Sequence, residues 1–318
     1  MIETGLPKKK SAYSSFEKRD FRFIYLLILF PVAQFLIFWL YVNLSSIGLA
    51  FKSPEGTFTF KNILSALQAL KTTDMYGFHL GQTIGRSFVI WLISNAVCMP
   101  IAIITTYVLF KRIFGHYVFR ICFILPSIIG SVVWVSLLRY LVDYNGPVID
   151  VLKKMGFDLP EMVLRGGLLS DKSTAFPTVL VITFITGLVG NNVVLTGAFS
   201  RIPKEIFESS KLDGAGFWRE MVFISIPCVW PTIATLLTFA FCSILLADNN
   251  IFLFSQGTGS PGMSTVGFYL YYLTLQISES GGNYNYPAAI GVVLTVFSVP
   301  IALTARRLLE KAVEPVEY

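Results

Sequence analysis

Residues 202–227 read IPKEIFESSKLDGAGFWREMVFISIP, a polar stretch set between two strongly apolar runs. It carries Lys204, Lys211 and Arg219, with Arg201 just before it. Pro203 suits a first helical position, where its missing N–H would be unpaired anyway. Gly214 suits the stop, because a left-handed residue without a Cβ costs little there. Between them Lys204, Glu208 and Lys211 recur at i, i+4 and i+7 and share one helical face. Ile206, Phe207 and Ser210 sit toward another face, and Ser209 and Ser210 are small enough to let a partner surface approach the backbone. Phe217, Trp218, Met221 and Val222 form a second amphipathic turn, which Pro227 closes at the mouth of the next apolar run. The stretch therefore predicts two short helices outside a bilayer, joined by a turn at Gly214.

The bilayer is implied by everything around that stretch. Of the 318 residues 54% are hydrophobic and only 14% are charged, where a soluble chain is nearer 25% charged. The mean hydropathy is +0.66. A net charge of +6 fits a nucleic-acid binder in principle, but the basic residues gather at the ends of apolar runs, which is a membrane pattern. Cys98, Cys122, Cys228 and Cys242 lie in or beside those runs without metal-ligand spacing. His79 and His116 are far apart, so neither a metal site nor a catalytic triad is expected, and no cofactor.

Six runs are long enough to span, since a helix needs ~20 apolar residues to do so: residues 23–44, 87–110, 118–141, 176–199, 228–254 and 287–305. The first exceeds the ~7–15 apolar residues of a secretory signal and is read as a retained membrane helix. Residues 53–85 are polar. Residues 143–175 contain a surface helix around Val148, Ile149, Val151 and Leu152, closed by Met155-Gly156. Residues 255–286 are rich in Gly, Ser, Asn and Tyr and contain no Lys or Arg. Pro31, Pro100, Pro126 and Pro300 lie inside their runs and predict kinks.

Charge then sets the orientation. Sixteen of the 25 Lys and Arg fall on the side that holds residues 202–227: six before Phe23, then Lys111, Arg112, Arg120, Arg201, Lys204, Lys211, Arg219, Arg306, Arg307 and Lys311. The excess predicts that this side, with both termini, is cytoplasmic. The expected division is a cytoplasmic tail at 1–22, a membrane domain at 23–310 and a second cytoplasmic tail at 311–318.

Glu208-Ser209-Ser210, three residues, Gly214, nine residues, Ile224, one residue and Ile226-Pro227 together resemble the EAA loop of ABC-importer permeases. That family's pattern is E-A-A, x3, G, x9, I-x-L-P; Ser209, Ser210 and Ile226 depart from it conservatively. The resemblance implies an all-α integral membrane protein with six transmembrane helices, a type I ABC-importer permease fold. It assigns Glu208, Ser209, Ser210, Gly214, Ile224 and Pro227 to a cytoplasmic coupling helix that docks on a separate ATPase. It further implies a bacterial-type inner membrane, a second permease subunit in a heterodimer, a dimer of ATP-binding cassette subunits and an extracytoplasmic solute-binding protein. The chain carries no G-x-x-x-x-G-K-[ST] phosphate loop, so it is not expected to be an enzyme.

The likeness runs on outside the loop. Phe119-Arg120, Leu125-Pro126 and Asn145-Gly146 look like the third-helix region of carbohydrate permeases. Gly257, Gly259, Pro261, Gly262, Ser264 and Thr265 look like their G-G-P…S-T segment, and Tyr286-Pro287-Ala288-Ala289 like their Y-A-A-A start of the last helix. The Arg306 to Lys311 close is similar to the maltose-transporter F-type subunit. These features imply a sugar or oligosaccharide; the alternative is a non-sugar solute such as an amino acid.

Polar residues at bilayer depth are costly and default to function. The fourth run offers Thr183, Thr186, Gly187, Gly190, Asn191 and Asn192, and the fifth Asp248, Asn249 and Asn250. A sugar takes paired hydrogen bonds from amides and carboxylates and stacks its C–H face on aromatic rings, here Trp134, Phe241 and Phe252. Family pockets are built from these two helices, so Thr186, Gly187, Gly190, Asn191, Asp248, Asn249 and Asn250 are the candidate substrate residues. The competing reading is that such amides only bond neighbouring helices, and Asp248 to Asn250 fit the outer interface as well as the midplane. An intramembrane enzyme would need clustered catalytic groups, and a channel would need a filter loop or pore ring; neither is present in the sequence.

Overall fold

A helix satisfies all its backbone groups internally, which is what hydrocarbon demands of a spanning segment. The computed structural model describes residues 13–74, 76–112, 114–245, 250–255 and 262–312. Five of its helices are long and apolar enough to cross a membrane: Phe23–Ala50, Leu80–Phe110, Lys172–Phe199, Phe217–Cys242 and Asn285–Ala312. A sixth apolar segment is broken into His116–Pro126 and Ser131–Lys154, bent by 100°. The described residues contain no strand, only isolated bridges at Lys52–Phe58 and Thr73–His79. The predicted tails fall largely outside the described residues, as do Gly257, Gly259 and Pro261.

Local chemistry moves several boundaries. The second span starts at Leu80, seven residues before the expected start, because His79 caps it by accepting from the Gln82 N–H. The fourth starts at Lys172, where Asp171 accepts from the Ser173 N–H. The fifth begins at Phe217, so the second amphipathic turn is the first turn of that span, not a separate surface helix. It also ends at Cys242, well before Phe254, which belongs to a short helix of its own, Ile251–Ser255. Residues 255–286 are not simply a polar connection. They hold the 15-residue helix Val266–Ser280, capped by the Thr265 hydroxyl and stopped by Gly281 at φ +66°. Lys61–Gln68 and Glu161–Gly166 are further short helices. The surface helix expected near Val148 is Pro147–Lys154, with Gly156 left-handed just beyond it.

Among the described residues proline accounts for two of the three π-helical stretches; the third, Phe35–Tyr41, has no proline placed to free one of its carbonyls. Pro100 cannot donate to the Ala96 carbonyl, nor Pro227 to that of Phe223, and each freed carbonyl lies inside a π-helical stretch, Ile93–Cys98 and Met221–Ser225. Pro126 sits near the end of its helix, before the extended Ile129 and Gly130 that make the sharp bend.

The spans alternate in direction, as side-chain ties show. Lys111, closing the second span, meets Glu220 in the first turn of the fifth. The Trp230 indole N–H donates to the Leu309 carbonyl, joining the early fifth span to the end of the last. At the other end Asn285 Nδ2 donates to the Lys52 carbonyl, 2.6 Å away. One core cluster at that far end gathers Ala50, Phe78, Leu80, Val266, Phe268 and Ile290. A second, at the Lys111 end, gathers Tyr107, Phe199, Phe207, Met221, Val229 and Ile233.

Candidate functional site: a coupling face and a polar chamber

The helix Lys204–Leu212 has two unlike faces. Phe207 and Ser210 are buried against the bundle, with Ile206 half-buried, whereas Lys204, Glu208, Ser209 and Lys211 are exposed. Phe207 packs 5.4 Å from the Phe110 ring at the end of the second span. Pro203 stands just outside the helix as its flanking residue, one position earlier than expected. Gly214 is left-handed at φ +72°, with the Gly214 N–H donating to the Lys211 carbonyl and the Ala215 N–H to that of Ser210. A Cβ there would meet nothing within 4 Å, so glycine is required by backbone conformation and not by space. Ser210 does not offer its surface to a partner: it is buried, and its hydroxyl donates to the Phe207 carbonyl. Ile224 and Pro227 are half-buried in the fifth span.

The apolar cluster around Phe207 seats this helix, and beside it lies a charged group that charge counting on the sequence did not single out. Glu220 is 4% exposed, accepts from the Tyr107 hydroxyl at 2.8 Å and pairs with the Lys111 ammonium. The ammonium lies 4.4 Å from the centre of the Phe207 ring and 5.6 Å from that of Tyr107.

Nearer the middle of the bundle a cavity of about 200 Å³ is lined by Ser94, Trp134, Val135, Leu138, Ile182, Thr183, Thr186, Gly187, Asn250 and Phe254. Thr186, Gly187 and Asn250 of the expected set converge here, together with the aromatic Trp134. The Thr186 hydroxyl donates to the Ile182 carbonyl at 2.9 Å, which leaves its lone pairs to accept from a ligand. Asn250 holds φ +59°, a conformation asparagine tolerates better than most residues. Ser94 reaches the chamber from the π-helical stretch of the second span, a position no periodicity count would have marked.

Gly190 and Asn191 are not in this lining. Gly190 is exposed, and the Asn191 amide contacts Met99 Sδ at 3.4 Å. Asn192 is buried and ties helices together, accepting from Thr106 at 2.8 Å and donating to the Leu188 carbonyl. The Phe241 ring packs at a tilt against Trp91 and the Phe252 ring edge-on to Tyr271, and neither lines the chamber. Asp248 and Asn249 lie outside the described residues. A neighbouring cavity of about 320 Å³ shares Phe254 and adds Arg139, Asp143, Ser170, Ser255 and Met263. One guanidinium nitrogen of Arg139 is buried there without a hydrogen-bond partner among the described residues.

Gly187 lets the second and fourth spans close up. A Cβ at that position would stand 2.8 Å from Cys98 Sγ and 3.1 Å from Cys98 Cβ. Gly187→Ala should therefore destabilise the bundle by about 1–3 kcal/mol through overpacking. Thermal unfolding in detergent should show the loss, and Cys98→Ala in the same chain should recover part of it; full wild-type stability for Gly187→Ala would mean the spans are not this close.

Five helices long enough to span, a further apolar segment broken in two and an amphipathic helix packed on one end are, among the described residues, the parts of a type I ABC-importer permease fold. Residues 98–315 match the family model described as binding-protein-dependent transport system inner membrane component, and the chain belongs to that family. It is therefore a multi-pass inner-membrane protein. It is 30% identical over 183 residues to the lactose transport system permease protein LacF of Rhizobium radiobacter, covering 56% of this chain and 58% of the relative. It is 26% identical to the diacetylchitobiose uptake system permease protein NgcF of Streptomyces coelicolor, over 57% of this chain and 48% of that one. The match thus spans about half the length of these two curated relatives. The arabinooligosaccharides transport system permease protein AraP of Bacillus subtilis is 23% identical over 87% of this chain and 85% of its own. A chain of a bacterial alginate ABC transporter, crystallised with an alginate pentasaccharide-bound periplasmic protein, superposes with a TM-score of 0.74 at 22% identity, covering 96% of this chain and 100% of that one.

Proposed function

We propose that this chain is a permease subunit of a binding-protein-dependent importer for a sugar or oligosaccharide, driven by a separate ATPase. The observation that carries the reading is the helix Lys204–Leu212, one face seated in the bundle core and the other presenting Lys204, Glu208, Ser209 and Lys211 to solvent beside the left-handed Gly214. Such a helix has a partner-facing surface and a rigid mechanical seat, which is what transmission of nucleotide-driven motion needs. The chamber supplies hydroxyl, amide and aromatic groups suited to a saccharide. At about 200 Å³ it falls below the ~300–1,000 Å³ of a complete ligand pocket. A second permease subunit, in a heterodimer, would complete it. The names of the relatives favour saccharides over amino acids.

In this reading the end that holds Lys111, residues 202–227 and both tails is cytoplasmic, where two ATP-binding cassette subunits dock. The opposite end, with Pro147–Lys154 and Val266–Ser280, faces an extracytoplasmic solute-binding protein. Single cysteines placed at Lys154 and Lys204, both exposed, should react with a membrane-impermeant maleimide from opposite sides of the membrane; labelling from one side would sink the topology. Cells lacking the chain should lose uptake of a labelled oligosaccharide that the co-purified binding protein retains. Unchanged uptake would overturn the transport assignment.

A further inference from the structure

Three elements meet at one ammonium group. Lys111 is the first residue past the second span, Glu220 lies in the first turn of the fifth, and Phe207 belongs to the inward face of Lys204–Leu212. The Lys111 ammonium pairs with the Glu220 carboxylate and lies over the Phe207 and Tyr107 rings, while the Tyr107 hydroxyl donates to the same Glu220 oxygen. Attraction between a cation and an aromatic face strengthens as both leave water, and the Glu220 side chain is 5% exposed.

Such a pair is poor at adding stability. Removing two charges from water offsets most of their attraction, and apolar replacements of similar volume are often neutral or stabilising. The surrounding cluster of Phe199, Phe207, Met221 and Val229 would close without it. What a paired charge adds is direction: carboxylate, hydroxyl and two ring faces fix the ammonium, where apolar contacts alone would let the helix slide. The second span, which Lys111 closes, also carries Ser94 in the chamber wall, so one helix links the two places.

We propose that Lys111 is a positioning residue, pinned between Glu220 and Phe207, that makes the second and fifth spans move with the Lys204–Leu212 helix. The proposal rests on the transport reading above. Its test uses the intact transporter in proteoliposomes with its binding protein and an oligosaccharide that protein retains. The quantities read are sugar imported per ATP hydrolysed and the thermal midpoint of the purified complex. Lys111→Met combined with Glu220→Leu should keep the wild-type midpoint yet lower sugar per ATP about tenfold. Wild-type sugar per ATP in that variant would overturn the proposal. So would a fall in sugar per ATP that only follows a lower midpoint. Single variants keep the test decisive if the double variant does not assemble. Lys111→Arg retains charge and ring stacking and should transport near wild type, and Lys111→Gln should not; equal values for the two would overturn the proposal. A wild-type complex whose ATP hydrolysis ignores sugar and binding protein would instead bring down the transport reading itself.

Discussion

Glu208→Lys and Gly214→Val should each cut ATP-driven uptake by about tenfold or more while the chain still inserts and the bundle keeps its stability. Glu208 is exposed and has no ion-pair partner among the described residues, so its replacement removes nothing the fold uses. Surface changes of that kind shift stability by only about ±0.5 kcal/mol. The new lysine would join Lys204 and Lys211 as a third cation and leave Glu205 as the one carboxylate on the exposed side of the helix. An isolated surface ion pair is worth ~0–1 kcal/mol, too little for a tenfold effect. A large loss would therefore report altered docking geometry across the whole face. Gly214→Val acts differently. Open space surrounds the missing Cβ, so no clash arises, but a β-branched residue at φ +72° is strained by ~1–2 kcal/mol. The turn would relax and tilt Lys204–Leu212 on its seat. Uptake and recovery of the ATPase with the chain should both be measured; wild-type values for both variants would leave the stretch a mere connector.

The second large effect is expected at the chamber. Trp134→Ala should weaken sugar transport about 30-fold at low substrate. Trp134 is the one aromatic ring of the expected stacking set that lines the cavity; Phe241 and Phe252 are engaged elsewhere. Truncating a buried aromatic anchor in a binding site typically costs about 2 kcal/mol, which corresponds to that factor. Because the loss is one of binding, it should shrink as substrate concentration rises. A loss that stays the same at saturating sugar would mean that Trp134 shapes the bundle and does not touch the ligand.

Most of the apolar runs, and the helix at 204–212 with its glycine stop, were legible because their signals are local. Twenty apolar residues in a row have few other readings, and the 204, 208, 211 spacing with glycine three residues on specifies helix, face and stop together. Val266–Ser280 was missed although its helical spacing is present: buried Val266, Tyr269 and Leu273 sit at i, i+3 and i+7. The tyrosines and flanking Gly, Ser and Asn made the segment look polar, yet Tyr269 is 1% exposed and its hydroxyl donates to Asp74. The chamber was half legible. Residue type pointed to threonine, asparagine and tryptophan, but which face of the fourth span is turned inward depends on tertiary packing. Thr186 and Gly187 face the cavity, and Asn192 is spent on Thr106.

Glu220 and Lys111 were opaque for a related reason. The Glu220 carboxylate finds the Tyr107 hydroxyl from 113 residues away. A tally of basic residues by side treats Lys111 as a solvated marker of topology. In the structure it is largely shielded, with its charge facing aromatic rings. Partners that far apart in sequence are set by the crossing of the second and fifth spans, and no local pattern encodes that crossing.

In the proposed function the exposed face of Lys204–Leu212 is the seat of an ATP-hydrolysing partner. A photo-cross-linking amino acid at Ser209, exposed between Glu208 and the buried Ser210, tests it in the intact complex in native membranes. One adduct is expected, to the nucleotide-binding subunit, with a yield that changes when ATP is trapped in that subunit. An adduct to lipid alone, or to no protein at all in a complex that still imports sugar, would contradict it.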